Sequence, residues 1–342
     1  MRRIAIGLAV LLVAAGITTA RLTGFGPGAA RAGPAPEFTG IARWLNSEPL
    51  SMRSLRGKVV LVDFWTYSCV NCVRTFPHLR AMAARYGPFG LQIVGVHSPE
   101  FDFEKDVANV RDAVERYRLP YPIAMDNDMA TWRAYRNRYW PHVYVVDAQG
   151  VLRFDHIGEG GEDKIQDSVR TLLARAGATL PEPLSFEDTG PSRGITPEIY
   201  AGYERGSIQG SLASIEGYHP GDVTTYRRPD EEDIAAVGAN GGFFLEGSWR
   251  AEREYVEATA PAQVLVPFRA RDVFMVAARG SGLRVLIDGA PVRPPDDEAR
   301  VAPPPGGMSP DLYHLARFSQ VEGHRLVLEV PAGFRLYTFT FG

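Results

Sequence analysis

The first half of the chain alternates between two hydrophobic patterns. Short continuous apolar runs, typical of buried strands, occur in KVVLVDFW (58–65), LQIVGVH (91–97), HVYVVD (142–147) and LRFDHIG (152–158), with a shorter run in YPIAM. Apolar positions at helical spacing predict helices over 69–86, 103–118, 129–137 and 162–175. Strands that alternate with helices and end in a hairpin and a helix predict an α/β sandwich.

The pattern changes beyond Thr179. A stretch rich in proline, glycine and acidic residues without periodicity predicts a linker over 179–198. From about Ile199, β-branched and aromatic runs separated by glycine and proline predict an all-β sandwich of the jelly-roll kind. We therefore expect an α/β domain over 37–178 and a β-sandwich over 199–342.

The N-terminus has a pattern of its own. A basic tip, MRR, precedes an apolar run and the segment Ala30-Arg31-Ala32. This order is typical of a secretory signal over residues 1–32, and an uncleaved N-terminal membrane anchor is the alternative. Either interpretation predicts an exported protein at the periplasmic or extracellular face of the cytoplasmic membrane.

Composition and charge narrow the class further. The composition, with 45% hydrophobic and 23% charged residues, is typical of a globular protein. The length of 342 residues is typical of a chain with about two domains. Its net charge is −3, and loss of residues 1–32 would remove four arginines and no acid. A chain this acidic, without a basic stripe, argues against nucleic acid as a partner.

The only two cysteines, Cys69 and Cys72, lie two residues apart where a strand leads into a helix. So short a loop restricts the unfolded chain little, which argues against a structural disulfide. A thiol in the first turn of a helix faces unpaired N–H groups that favour the thiolate. We therefore expect Cys69 to attack disulfides and Cys72, one turn later, to resolve the mixed disulfide.

Asp63 stands in the middle of the apolar strand that precedes the cysteines. Burial would raise the pKa of its carboxyl group and suit it to exchange a proton with Cys72. The alternative is a solvated carboxylate at the end of a strand.

The stretch VLVDFWTYSCVNC resembles the thioredoxin superfamily motif of strand, acid, aromatic residue and C-x-x-C. Pro77 matches the family's proline in the active-site helix, and Pro141 matches its cis-proline. The resemblance implies a cis Trp140–Pro141 bond and a groove for substrate backbone bordered by Trp140, Pro141 and Trp65. It implies no external cofactor, because the dithiol is itself the redox agent.

Longer stretches resemble the exported part of DipZ-type proteins, which join a thioredoxin-like domain to a β-sandwich similar to a carbohydrate-binding module. These stretches include TPEIYAGYERG and VEGHRLVLEVPAGFRLYTFTFG. The membrane electron carrier typical of such proteins is not found here, so the resemblance implies a separate donor of the CcdA or DsbD type. It suggests exported proteins with reducible cysteines as substrates, including apocytochromes of cytochrome c biogenesis. GVHS (95–98) lacks the lysine that thioredoxins place against the buried acid.

The direction of electron flow is indicated by the residues between the cysteines. Val70 and Asn71 bring no cation to stabilise a thiolate, which favours a reductant, although Arg74 is close along the helix. Thr66-x-x-Cys69 also resembles the T-x-x-C motif of peroxiredoxins, with Val62 where those enzymes need a proline. A peroxiredoxin-like thiol peroxidase is therefore an alternative.

Two further alternatives involve other chemistry. Zinc would need Cys69 and Cys72 to recruit His78, His97 or His142, yet no second C-x-x-C or close histidine pair is present in the sequence. A glycan- or protein-binding module with a thioredoxin-like scaffold would use a sugar-stacking platform formed by Trp249, Tyr255, Tyr313 and Phe334.

Overall fold

The computed structural model describes residues 33–186, 190, 193–238, 240–292 and 310–342. The predicted signal or anchor over 1–32 lies outside these residues. In the described part of the chain, no helix has both the length and the apolar character that a bilayer crossing requires. We call residues 33–186 the α/β region and the described residues from 193 onward the β region.

The α/β region alternates strands and helices as the hydrophobic pattern predicts. Its strands are β1 (Gly33–Pro34), β2 (Arg43–Leu45), β3 (Val59–Trp65), β4 (Leu91–His97), β5 (Ile123–Met125), β6 (His142–Val146) and β7 (Val151–Ile157). Its helices are α1 (Val70–Tyr86), α2 (Val107–Arg116), α3 (Ala130–Ala134) and α4 (Glu162–Arg175).

The seven strands form one sheet in the order β1-β7-β6-β3-β4-β5-β2. Strands β3, β4 and β5 are parallel, and β6 pairs antiparallel with β3. All seven residues of the central strand β3 are buried, as its continuous apolar run predicts. The α/β class and the end of α1 before Gly87 are therefore confirmed.

The helix predicted over 103–118 is shorter than expected. A 3₁₀ turn covers Asp102–Lys105, and α2 begins only after Asp106, whose side chain caps it by accepting a hydrogen bond from the Ala108 amide. Apolar spacing does not distinguish these two helical segments, because an N-cap aspartate interrupts the backbone without interrupting the hydrophobic stripe.

The β region is strand-rich, as predicted. Its strands are β8 (Ile199–Tyr200), β9 (Val223–Tyr226), β10 (Phe244–Ala251), β11 (Val256–Ala258), β12 (Ala262–Ala278), β13 (Arg284–Ile287), β14 (Ala290–Pro291), β15 (Asp311–Val330) and β16 (Arg335–Phe341). Two short helices, α5 (Tyr203–Gln209) and α6 (Glu231–Val237), accompany them. The strands pair antiparallel in one large sheet built on the long strands β12 and β15.

The two regions share a continuous apolar core. Phe274, Leu312 and Tyr337 of the β region belong to the same buried cluster as the residues beneath α1. Tyr337 packs edge-on against Phe101 and Phe103, with ring centroids 5.2 and 4.9 Å apart. Part of the predicted linker also packs on this core, through Leu180, Leu184 and Phe186.

The proposed sugar-stacking platform is not found in the structure. Trp249, Tyr313 and Phe334 are almost fully buried in the core of the β region, and only Tyr255 is partly exposed. These aromatic side chains point inward because they fill the interior of the antiparallel sheet, where burial of a large ring is most favourable. They therefore cannot stack on a glycan.

Candidate active site

The two cysteines lie where β3 leads into α1. Cys69 is the N-cap residue of the helix, and its sulfur accepts a hydrogen bond of 3.3 Å from the Cys72 amide. Cys69 is partly exposed, Cys72 is buried, and both are free thiols. One thiol is thus accessible to a client, and the other lies one helical turn behind it.

The electrostatic surroundings of Cys69 differ from the sequence-based expectation. The Cys72 thiol hydrogen bond lowers the pKa of Cys69, but burial and the carboxylates of Glu100 and Glu198 raise it, and the net shift is upward. The helix terminus alone would favour the thiolate. The predicted lowering of the Cys69 pKa is therefore wrong. It followed from the position of Cys69 at the start of α1 alone, and no sequence pattern indicates burial of the thiol or acids from other segments close to it.

Cys72 is harder to ionise still. Burial is the largest cause, the Cys69 thiol adds to it, and the nearby Asp63 contributes, so the pKa of Cys72 lies well above its ordinary value. Burial also raises the pKa of Asp63 from 3.8 to about 7. Among the described residues, neither carboxylate oxygen of Asp63 has a hydrogen-bond partner. A carboxyl group in this state can hold or accept a proton near neutral pH.

The absence of a lysine opposite Asp63 has a steric reason. Gly95 pairs with Asp63 across the parallel strands β3 and β4. A Cβ atom at Gly95 would lie 2.8 Å from both the Trp65 indole nitrogen and the Ile123 Cδ1 atom. Since no side chain fits there, Asp63 has no cation at this strand position.

The residues predicted to border the substrate groove differ in their exposure to solvent. The Trp140–Pro141 bond is cis, as the resemblance implies. Trp140 is partly exposed, and its indole donates a hydrogen bond of 2.9 Å to the Ser98 carbonyl. Trp65, by contrast, is fully buried against Phe76 and His97. Its side chain supports the site from beneath and does not border a surface groove, because β3 directs it into the core.

The charged and polar side chains that the sequence places near the cysteines interact with residues other than Cys69 and Cys72. Arg74 lies 3.2 Å from both oxygens of Glu159. His78 and His142 face Glu162 and Asp155 at 3.4 and 3.1 Å. His97 and Thr66 are buried, with 3.4 Å between the imidazole Nε2 and the hydroxyl oxygen, and burial lowers the pKa of His97 to about 3.

Sequence reasoning missed a cluster of polar residues that includes the two carboxylates, Glu100 and Glu198, that raise the pKa of Cys69. Glu100 follows β4, whereas Glu198, Tyr200 and Arg205 come from the start of the β region. The Tyr200 hydroxyl lies 2.7 Å from a Glu100 oxygen and 2.9 Å from a Glu198 oxygen. Arg205 pairs with Glu100 and lies over the rings of Tyr200 and Trp140. The only sequence signal was the stretch TPEIYAGYERG, which contains Glu198, Tyr200 and Arg205 and resembles DipZ-type proteins.

Comparison with known proteins agrees with this geometry. Residues 196–342 match the family described as thioredoxin like C-terminal domain, and residues 32–155 match the AhpC/TSA family. Protein DipZ of Mycobacterium tuberculosis is 34% identical over 342 residues, which cover 94% of this chain and 45% of DipZ. The chain therefore spans about half the length of that relative.

Two shorter relatives match the α/β region. Thiol-disulfide oxidoreductase YkuV of Bacillus subtilis is 31% identical over 141 residues, covering 41% of this chain and 95% of YkuV. Thiol-disulfide oxidoreductase ResA of Halalkalibacterium halodurans is 29% identical over 132 residues, covering 39% of this chain and 72% of ResA. With a C-x-x-C pair at the N-terminus of α1 and relatives of this kind, the chain belongs to the thioredoxin-like thiol-disulfide oxidoreductases.

Proposed function

We propose that this chain reduces disulfide bonds of exported protein clients, at the extracytoplasmic face of the membrane. The observation that carries the proposal is the pair of thiols at the start of α1, with Cys69 partly exposed and Cys72 buried close to Asp63. This arrangement supplies an attacking thiol, a resolving thiol and a proton acceptor.

The reaction proceeds in two exchanges. The Cys69 thiolate attacks one sulfur of the client disulfide, which forms a mixed disulfide and releases the other client sulfur as a thiolate that takes up a proton. Asp63 then accepts the Cys72 proton, and the Cys72 sulfur attacks Cys69. This attack releases the second client sulfur as a thiolate, which takes up a proton, so the client leaves with two thiols and the chain holds a Cys69–Cys72 disulfide. A separate membrane dithiol donor of the CcdA or DsbD type restores the reduced pair.

The reducing direction is supported by the charges around Cys69. A potential is strongly oxidising when the reduced, thiolate form is stabilised. Here the carboxylates of Glu100 and Glu198 oppose the thiolate, and the charge of Arg74 is matched by Glu159. The disulfide form is therefore more stable, relative to the dithiol form, than it is in a strongly oxidising protein. The dithiol form of this chain consequently donates its electrons readily.

An equilibrium redox titration against defined thiol buffers tests this proposal. We expect a potential more negative than about −250 mV, in the range of reducing thioredoxins. Insulin reduction by the purified chain with dithiothreitol, compared with Cys69→Ser, tests the activity itself. A potential near that of strong oxidants, about −120 mV, would reverse the proposed direction.

Peroxide reduction is a second candidate, supported by the match of residues 32–155 to the AhpC/TSA family. Against it, Val62 stands where the T-x-x-C motif of peroxiredoxins needs a proline. Rapid, stoichiometric oxidation of Cys69 by hydrogen peroxide, without reduction of insulin, would favour the peroxidase.

A further inference from the structure

Glu104 is a fully buried carboxyl group in the 3₁₀ turn that follows β4. Its side chain folds back over the start of the turn, where the Phe101 amide donates a hydrogen bond of 3.0 Å to Oε2. This is the geometry of a capping box, which pairs an amide that the turn itself leaves unpaired. The Glu100 amide donates a second hydrogen bond, of 2.5 Å, to the same oxygen. One oxygen of Glu104 therefore fixes residues 98–101, which we call the β4 loop.

The other oxygen of Glu104 binds the residue that precedes Cys69. Oε1 accepts a hydrogen bond of 2.5 Å from the Ser68 hydroxyl and a longer one, of 3.4 Å, from the Ser68 amide. Ser68 is only 2% exposed, so these two donors depend on a protein acceptor. Since Cys69 is the N-cap residue of α1, the contact that holds Ser68 also restrains the backbone of the attacking thiol. We call residues 66–68 the active-site loop.

The β4 loop carries contacts to the surface beside the cis-proline. The Ser98 carbonyl accepts the hydrogen bond from the Trp140 indole, and Glu100 pairs with Arg205 of the β region. The single carboxyl group of Glu104 thus connects the active-site loop to the loop that supports Trp140. Neither loop is part of a helix or strand, so these hydrogen bonds supply a restraint that secondary structure does not.

A carboxylate is the side chain that suits this position. It accepts hydrogen bonds at both oxygens, and the four donors offset the cost of burying it. Burial and the charge of Glu100 raise the pKa of Glu104 to about 7. Hydrogen bonds from Ser68, Thr66 and Phe101 oppose this rise. At pH 8 the carboxyl group is therefore mainly ionised and accepts from both loops.

We propose that Glu104 is a positioning residue for Cys69, which acts through Ser68 and holds the attacking sulfur where it can bond to Cys72. The Cys69 sulfur already lies 3.3 Å from the Cys72 amide nitrogen. Two reacting groups held in a fixed orientation have a high effective concentration, which favours the bond between them. Glu104 thereby favours closure of the Cys69–Cys72 disulfide. This inference rests on the proposed redox role of the two cysteines and names the group that orients the first of them.

The test is the equilibrium of the full chain with dithiothreitol at pH 8, with the fraction of free thiols measured by acid quenching, alkylation and mass spectrometry. The chain dithiol reduces oxidised dithiothreitol and becomes the Cys69–Cys72 disulfide. We expect Glu104→Gln to lower this equilibrium constant about five- to tenfold, because glutamine has one acceptor oxygen and cannot accept from both loops. The change makes the potential about 20 to 30 mV less negative.

Asp147→Asn is the matched control. Asp147 is also a buried carboxyl group, and it accepts hydrogen bonds of 3.0 and 2.9 Å from the Gln149 and Val151 amides. It follows the last residue of β6, and the antiparallel pairing of β6 with β3 places it at the end of the sheet away from the cysteines. The substitution should change the equilibrium constant by less than about twofold.

Ser68→Ala provides a second variant, which removes only the hydroxyl that donates to Glu104. We expect it to lower the equilibrium constant about threefold and to add less than about twofold to the effect of Glu104→Gln, because both substitutions break one contact. Effects that multiply would show that Glu104 does not act through Ser68, which overturns the inference. A change in Glu104→Gln no larger than that in Asp147→Asn overturns it too. If Glu104→Gln does not fold, Ser68→Ala decides alone, and an unchanged constant overturns the inference.

This equilibrium needs no client, so the two proposals fail separately. A lowered constant in Glu104→Gln, for a chain that never reduces insulin, would refute the proposed function alone. An unchanged constant, for a chain that does reduce insulin, would refute the role of Glu104 alone.

Discussion

Arg116 at the end of α2 donates two hydrogen bonds, of 2.7 and 3.3 Å, to the carboxylate of Asp311 at the start of β15. Both side chains are largely buried, with 19% and 5% of their surface exposed. The pair joins the α/β region to the β region next to the shared apolar core. A bidentate ion pair of low exposure fixes the relative orientation of its two partners more firmly than a surface pair does.

Replacing Arg116 by methionine should lower the free energy of unfolding by about 3 kcal/mol, because it removes two charge-assisted hydrogen bonds to the buried carboxylate of Asp311. Urea denaturation of the full chain measures this. Arg284→Met, which removes the exposed partner of Glu329, is the control and should cost less than about 1 kcal/mol. Equal effects of the two substitutions would show that the Arg116 pair contributes no more than a surface pair.

Replacing either cysteine by serine should separate the two exchanges. Cys69→Ser should lose insulin reduction by at least about 100-fold, because the attacking sulfur is gone. Cys72→Ser should accumulate a mixed disulfide with the client, visible as a mass adduct under non-reducing conditions. Adducts on Cys72 in the Cys69→Ser chain, at a similar rate, would reverse the assigned roles.

Asp63→Asn should slow the second exchange by about 100-fold near pH 7, since Cys72 then loses its proton acceptor. The rate should recover as the pH rises and Cys72 ionises without help. Stopped-flow decay of the mixed disulfide measures this step. A pH profile identical to that of the unmodified chain would remove Asp63 from the mechanism.

The same substitution should change the pH dependence of stability. The pKa of Asp63 is raised in the folded state from 3.8 to about 7, so the folded chain binds the proton more tightly than the unfolded chain. Asp63 therefore makes stability fall as the pH rises from about 4 to about 7, with no further loss above that range. Asp63→Asn should flatten this slope and be more stable than the unmodified chain by up to about 4 kcal/mol at pH 8. Denaturation midpoints at pH 4 and pH 8 measure the effect, and parallel curves for the two chains would contradict it.

Trp140→Ala should impair protein clients selectively. Its ring is partly exposed beside the cis-proline and under Arg205, where an extended client segment would lie. We expect the KM for disulfide-bonded insulin to rise about tenfold, while the rate with a small aromatic disulfide changes less than about threefold. A matched substitution of the buried Trp65 should instead lower stability by about 3 kcal/mol or more. Equal loss with both substrates would mean that Trp140 supports the site without binding clients.

The sequence by itself determined the local features of this protein. The continuous run around Asp63 has the composition of a fully buried strand, and the two cysteines come directly after it at the start of a helix. Both are consequences of short-range periodicity and capping, so the α/β class, the strand-rich second half and the cysteine pair could be predicted. The helix predicted over 103–118 was wrong at its start because Asp106 interrupts the backbone and leaves the apolar spacing intact.

Only the tertiary structure decided what surrounds Cys69. Glu100 and Glu198 are about a hundred residues apart in the chain, and no local pattern indicates that one tyrosine hydroxyl bridges them. The direction of the pKa shift at Cys69 depends on this packing, because burial and the carboxylates brought close by folding together outweigh the hydrogen bonds from Cys72. Burial of Trp65, Trp249 and Phe334 was likewise settled by the faces of the two sheets, since an aromatic residue has the same sequence signature in a core and on a binding surface.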